Sequence, residues 1–437
     1  MSEPYKIAQV HARQVLDSRA NPTVEADVRL SGGAFGRAAV PSGASTGSHE
    51  AHELRDSDDP VWAGRGVLRA VANANNILGP AIQGLDAREQ AAVDGALRAI
   101  DGSEALSRLG ANAVLAISLA TAQAAAAALD LPFYLHVAEL AGARPLLPLP
   151  MVNIISGGAH AGRNLDIQDV LVMPIGADSY RSGLAMIVRV YCAMRELLVT
   201  AGYPPLVGDE GGFGPHLSAN ENALALIVTA IERAGLRPGE DMALALDVAA
   251  TGFYHDGFYH MTRTTSGLSS LQTPQMVALV ERWTTLYPLI SIEDPLAEDD
   301  WEGWQQITER LGNRHQLIGD DLFVTNTQRL TQGIERGIAN TVLVKVNQIG
   351  TLTGALQTLA LATAHGYRAV ISARSGETED TWLADLAVGS GAGQIKVGSV
   401  ARSERLAKYN RLLRIEEECG ATVPYAGGAI WTPQKRV

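Results

Sequence analysis

Lysine, cysteine and aromatic side chains are scarce in this 437-residue chain, and no run of basic residues occurs in it. Lys6, Lys345, Lys396, Lys408 and Lys435 are the only lysines among 35 basic residues; the rest are arginines. With 47 acidic residues the net charge is −12, and the chain lacks the cationic stripe of a nucleic-acid binder, so no nucleic-acid partner is expected. Two cysteines, Cys192 and Cys419, give neither a disulfide framework nor a zinc site. No apolar stretch follows a basic start at the N-terminus, so no signal peptide is expected and the default location is cytoplasmic. The most apolar stretch, Ala113–Leu131, is dominated by alanine and interrupted by Ser118, Thr121 and Gln123. It reads as a buried helix rather than a membrane span.

What is present is enough apolar material for a sizeable core: 46% of residues are hydrophobic and only 19% charged, which excludes wholesale disorder. Residues 5–40 read as strand and hairpin, because Val24, Ala26, Val28 and Leu30 alternate with Glu25, Asp27 and Arg29. Residues 66–140 are helical in pattern, with glycine punctuation. Gly142–Pro150 carries three prolines and is expected to be a linker. The division predicted is an N-terminal α+β capping domain over 1–143 and a βα barrel over 144–437.

In the second part, short apolar runs end in a polar or charged residue before each helical stretch. The runs are Ala243–Asp247, Leu289–Glu293, Gln316–Asp320, Thr341–Lys345, Arg368–Ser372 and Gly393–Lys396. After a first interval of 46, their last residues are spaced 27, 25, 27 and 24 apart, the length of one βα unit each. Repeated units of this kind predict a parallel sheet closed into a barrel, with the strand ends converging on one face.

Asp247, Glu293, Asp320 and Lys345 lie at four of those ends. Any one acid there is explained by capping of the next helix. Three acids on three successive strands repel one another unless a cation neutralises them, and oxygen-only donors favour magnesium. Lys345 and Lys396 share the same face, and each beside the other and a cation is expected to have a lowered pKa, within reach of general-base work. The simpler alternative is an ordinary ion pair such as Lys345 with Asp321; both readings can hold together. Two small-residue segments add to this. Pro41–Asp56 is expected to be a loop entering a helix, and Val207–Pro215 to bury Asp209 and Glu210 among glycines. Loops of this type can close over a phosphate or a cation, although most are plain turns.

Taken together, Asn21–Glu25 (NPTVE), Val40–Gly47 (VPSGASTG), Gly208–Gly212 (GDEGG), Ser291–Pro295 (SIEDP), Gly319–Leu322 (GDDL), Lys345–Gly350 (KVNQIG), Arg374–Asp380 (RSGETED) and Ala407–Glu417 (AKYNRLLRIEE) resemble the enolase family along the whole chain. The resemblance implies an enolase-type, modified TIM barrel with an N-terminal α+β domain, two Mg2+ ions, a homodimer or homo-octamer, and a small phosphorylated or phosphonylated carboxylate as substrate. It implies Asp247, Glu293 and Asp320 as ligands of the first ion, and Ser45 as ligand of the second and contact to the phosphoryl group. Lys345 would take the α-proton and Lys396 support the carboxylate. Arg374 and Ser375 would grip the phosphoryl group, with Ser372 and Ala373 beside them. Glu210 would help expel the hydroxyl, and His160 and Gln168 would contact the substrate. The pairing of a lysine base with a magnesium-stabilised enediolate is a general feature of the superfamily.

Two positions depart from the family. Asp169 stands where the family has glutamate, and Ala373 where it has histidine. Smaller departures are Gly252, where the family usually has glutamate, and Gly354, where it has glutamate or a polar residue. Asp169 is one methylene too short to reach the same point, and Ala373 removes a titratable ring and leaves space. The proton-abstracting set is kept while the leaving-group and phosphoryl sides change. That split predicts the same enolisation on a different or larger substrate. The carboxyphosphonoenolpyruvate synthases of phosphinothricin-type pathways are the branch whose product fits it. The alternatives are a phosphopyruvate hydratase, and an idle enolase-like binding protein, against which the intact lysine and acids argue.

Overall fold

A computed structural model describes residues 3–43, 47–264 and 269–431. The N-terminal part opens with an antiparallel sheet of β1 (Ile7–Leu16), β2 (Pro22–Leu30) and β3 (Phe35–Ala39) in that order. Val24, Ala26 and Val28 are fully buried, as the alternation requires. Asp27, on the other face, is buried as well, because Arg13 and Arg37 from the flanking strands converge on it. Burial opposes its charge, but the two guanidiniums win and hold the carboxyl well below its ordinary range.

The helix Ala111–Ala128 packs on β2 and β3 and is buried over most of its surface. Alanine makes this possible, combining the highest helix propensity with the smallest side chain that still covers a sheet. The approach is so close that a Cβ on Gly36 would lie 2.1 Å from the Ala120 carbonyl oxygen. Among the described residues this is the one helix long and apolar enough to cross a membrane, and it is the core of the N-terminal part instead.

The second part is a closed eight-stranded barrel. Its strands are β4 (Leu149–Ser156), β5 (Asp169–Met173), β6 (Ala243–Asp247), β10 (Leu289–Glu293), β11 (Gln316–Gly319), β12 (Thr341–Val344), β13 (Arg368–Ser372) and β14 (Gln394–Gly398). Between β6 and β10, a small surface sheet holds β7 (Tyr254–His255), β8 (Phe258–His260) and β9 (Ser270–Leu271). The six strands read from the sequence pair in parallel, but β5 runs antiparallel to both β4 and β6. The expectation of a purely parallel sheet is therefore corrected. Its cause is the short connection from β4 to β5, which holds only the turn Gly158–Ala161 and no crossover helix.

Three further expectations change. No helix follows the small-residue loop directly; the chain runs irregularly to Leu68 before the first helix begins. The proline-rich stretch is only partly a linker, since Leu149 and Pro150 already belong to β4 and line up with β14. Asp209 is half-buried, whereas Glu210 beside it is buried.

One end of the barrel is plugged. Leu149, Met151, Leu171, Met173, Ala245, Ile318, Leu343 and Val370 form a separate buried cluster inside it. Successive strand residues point to opposite faces, so the residue two positions beyond an inward apolar side chain also points inward. This places Asp247 after Ala245, Asp320 after Ile318, Lys345 after Leu343 and Ser372 after Val370. The apolar plug thus forms the floor of a polar mouth. Because β5 runs the other way, its first residue, Asp169, reaches the same mouth opposite Asp247.

Candidate active site

Lys396 sits at the centre of the mouth. Its Nζ donates to Asp247 Oδ2 at 2.6 Å and to both Glu293 oxygens at 2.7 Å. Both acids are almost wholly buried. Burial and the Asp247 charge push the Glu293 carboxyl well above its ordinary range, against the pull of Lys396. Burial works against the Lys396 charge, but Asp247 and Glu293 outweigh it and hold the ammonium well above the usual lysine value.

Lys345 makes a close ion pair with Asp320, not with Asp321. Burial disfavours its charge, yet Asp320, helped by Glu293, raises its pKa. The expected lowering, which supposes a bound cation, does not follow from the side chains alone: at each lysine the nearest carboxylates outweigh burial and the neighbouring positive charges. Asp320 also accepts from Gln348 Nε2 at 2.9 Å. The Asp294 carboxylate fixes the turn by accepting from the backbone N–H groups of Asp320 and Asp321 at 3.0 and 2.7 Å.

The opposite wall is looser. His160 lies in the turn Gly158–Ala161, with Nδ1 3.6 Å from Asp169 Oδ2 and 3.9 Å from Glu210 Oε1. Glu210 enters from the glycine loop, where a Cβ on Gly212 would meet Asn153 Oδ1 at 2.5 Å. Burial, partly offset by the His160 contact and reinforced by Glu210, pushes the Asp169 carboxyl up to about 6. Burial acts the same way on Glu210, but His160, Arg405 and the two lysines overcome it and lower its pKa. Gln168 Nε2 donates to Asp247 Oδ2 at 3.1 Å, joining this wall to the acids.

The third side follows β13. Ser372, Ala373, Arg374 and Ser375 line the cleft together with His160, Gln168, Asp169, Glu210, Asp247, Lys345 and Lys396. Arg374 Nη1 donates to Glu50 at 2.9 Å and to Asn347 at 2.9 Å. The buried Arg405 donates to the carbonyls of Arg374, Ser375 and Val397, clamping the loop after β13 to β14. Glu293 and Asp320 lie behind the two lysines. Ser45 falls outside the described residues.

Residues 7–137 match the enolase N-terminal domain, and residues 144–434 match the enolase C-terminal TIM barrel domain. The chain belongs to the enolase family. Its two domains are those of an enolase-type enzyme, in a family whose members typically bind Mg2+.

The donor set fits such an ion. Asp247, Glu293 and Asp320 are buried oxygen donors, the hard ligands that Mg2+ prefers, and the burial that opposes the Glu293 charge is what a cation there would offset. Six groups around the site were not singled out from the sequence: Glu50, Asn153, Asp294, Asn347, Gln348 and Arg405. Asn153 donates to both Asp169 and Ser156. Its signal is its place two residues beyond the inward-facing Met151, which the proline-rich stretch Gly142–Pro150 conceals. Glu50 lies inside the Pro41–Asp56 segment and Asn347 inside the KVNQIG motif, and only the fold shows that both meet Arg374.

Proposed function

We propose that this chain is a specialised enolase-family enzyme that abstracts the α-proton of a 2-phosphoglycerate-like carboxylate and forms an enolpyruvate. The most specific reading is a carboxyphosphonoenolpyruvate synthase of a phosphonate, phosphinothricin-type biosynthetic route. One observation carries it: the proton-abstracting side of the mouth is complete and tightly paired, while the leaving-group and phosphoryl sides hold Asp169 and Ala373.

In this reading the substrate carboxylate lies by Lys396, and Arg374 and Ser375 take the phosphoryl group. Asp247, Glu293 and Asp320 would hold a divalent ion, Mg2+, with Ser45 contributing to a second. Such an ion supplies counter-charge to the enediolate and relieves Lys345 of the carboxylate that fixes its proton. Lys345 accepts the proton as the C–H pair becomes the enolate. The enolate then collapses to C=C as the C3–O bond breaks. Glu210 helps expel the hydroxyl by holding a proton on His160 beside it: burial opposes the imidazolium, but Glu210 and Asp169 outweigh it, and that proton turns the departing hydroxyl into water. Asp169 and Gln168 shape that side, and Ala373 leaves room for a larger group on phosphorus. The division into a capping domain over 1–143 and a catalytic barrel over 144–437, a homodimer or homo-octamer, and a cytoplasmic location belong to the same proposal.

The test is a substrate comparison followed by 31P NMR. A phosphoglycerate analogue carrying a carboxyl group on phosphorus should be converted to its enolpyruvate faster than 2-phosphoglycerate, in a reaction that chelator abolishes. Faster turnover of 2-phosphoglycerate would establish phosphopyruvate hydratase instead, and turnover of neither would leave an enolase-like binding protein.

A further inference from the structure

Glu50 lies within the small-residue segment Pro41–Asp56, in the N-terminal part of the chain, yet its carboxylate is buried against the barrel mouth. Its side chain is 8% exposed, and that of its partner Arg374 is 3% exposed. The contact is two-pronged: Arg374 Nη1 donates to Oε2 at 2.9 Å and Nη2 to Oε1 at 3.3 Å. Two parallel bonds of this kind fix the plane of a guanidinium as well as its place.

The same carboxylate makes two other contacts. Oε1 accepts the Gly47 backbone N–H at 2.9 Å and Gln348 Nε2 at 3.3 Å. Gln348 Nε2 in turn donates to Asp320 Oδ1 at 2.9 Å. Gln348 is itself oriented by the Thr325 hydroxyl at 2.7 Å, and Thr325 Oγ1 accepts the Lys345 backbone N–H at 2.9 Å. One carboxylate therefore joins the arginine beside the phosphoryl position to the acid that pairs with the proton-abstracting lysine.

We propose that Glu50 is a positioning residue that sets the Arg374 guanidinium for the phosphoryl group and ties it, through Gln348, to Asp320. This rests on the reading of Arg374 as the phosphoryl anchor. A purely stabilising ion pair across the two parts of the chain would need only the contact to Arg374. The branch to Gln348 and Asp320 is what a positioning role requires.

Two variants, Glu50→Gln and Glu50→Ala, test it by calorimetry with inorganic phosphate at saturating Mg2+. Their thermal midpoints are followed alongside. Misplacing a binding group by about 1 Å costs on the order of 100-fold. Glu50→Ala should therefore weaken phosphate binding by at least ~30-fold. Glu50→Gln keeps the reach but loses the charge and one acceptor, and should weaken binding by about 10-fold with little change in midpoint. For α-proton exchange on 2-phosphoglycerate, the Glu50→Gln effect should fall on KM, with kcat held within about 3-fold. If Glu50→Ala does not fold, Glu50→Gln decides. Phosphate binding within about 3-fold of the parent, or tighter than it, overturns the positioning role while leaving the function reading intact. A folded parent that binds no phosphate at all removes both, because Arg374 is then no phosphoryl anchor.

Discussion

The two walls of the barrel mouth differ in how their charges are satisfied. Around Lys396 the contacts to Asp247 and Glu293 are 2.6–2.7 Å, and Lys345 is closely paired with Asp320. Across the cleft, His160 stands 3.6 and 3.9 Å from Asp169 and Glu210. His160 Nδ1, Asp169 Oδ2 and Asn153 Oδ1 are buried there without a hydrogen-bond partner among the described residues. Unsatisfied buried polar atoms are costly, so such a wall gains most from a ligand that completes it. The lysine wall has its charges already paired, and in the proposed reaction it removes the proton. In the proposed reaction the histidine wall decides substrate identity.

The strongest way to break this comparison is to remove the proton-abstracting lysine. Lys345→Ala should reduce α-proton exchange by about 10²–10⁴-fold, and Asp320→Ala should abolish it together with metal dependence. Exchange at the parent rate in Lys345→Ala, or full activity of the parent in excess chelator, would show that the tight wall is not the reacting one. Lys396→Ala should act on the fold as well as on activity. It leaves Asp247 and Glu293 buried without their shared ammonium, a loss of about 3–5 kcal/mol by denaturant titration. Unchanged stability would mean that these acids have another counter-charge.

The loose wall is tested by restoring the family residues. Asp169→Glu with Ala373→His should raise 2-phosphoglycerate dehydration by about 10-fold or more and impair the native reaction, because the imidazole refills space that a larger substrate needs. The pair should be non-additive, since both side chains act on one bound molecule. Additive effects would separate the two positions.

The smallest effect belongs to a group outside both walls. Asp380 accepts from the Ala39 and Trp382 backbone N–H groups at 3.0 and 3.2 Å, and burial pushes its carboxyl up to about 6. The folded state therefore holds a proton that the unfolded chain releases near pH 4. The associated stability is fully present below about pH 4 and is lost as pH rises through about 6. The thermal midpoint of the parent, measured against Asp380→Asn, should fall by a few degrees across that window. A parallel pH dependence in the two proteins would count against this assignment.

Much of the barrel was legible in the sequence because its strands are buried runs ending in charge. Ala243–Asp247, Leu289–Glu293 and Arg368–Ser372 coincide with strands β6, β10 and β13. Asp320 and Lys345 fall one residue past their strands, and β14 runs on to Gly398. β4 and β5 escaped notice for different reasons. Two prolines at the head of β4 suggested a linker, and β5 has no helix before it to mark a βα unit. Missing them hid Asn153, which orients Asp169. The ion pairs were less legible than the residues. The spacing brings Lys345 to the acids, but only the fold shows how closely Asp320 pairs with Lys345, and Asp247 and Glu293 with Lys396, so that both lysine pKa values rise.

The central claim is that proton abstraction is retained while loss of the hydroxyl from 2-phosphoglycerate is not matched to it. Incubation with 2-phosphoglycerate and Mg2+ in deuterated water measures both, as exchange at C2 and formation of enolpyruvate in one sample. The account predicts exchange exceeding dehydration by about 100-fold or more, the cost of a misplaced leaving-group wall. Dehydration keeping pace with exchange at the rate of an ordinary enolase would contradict it.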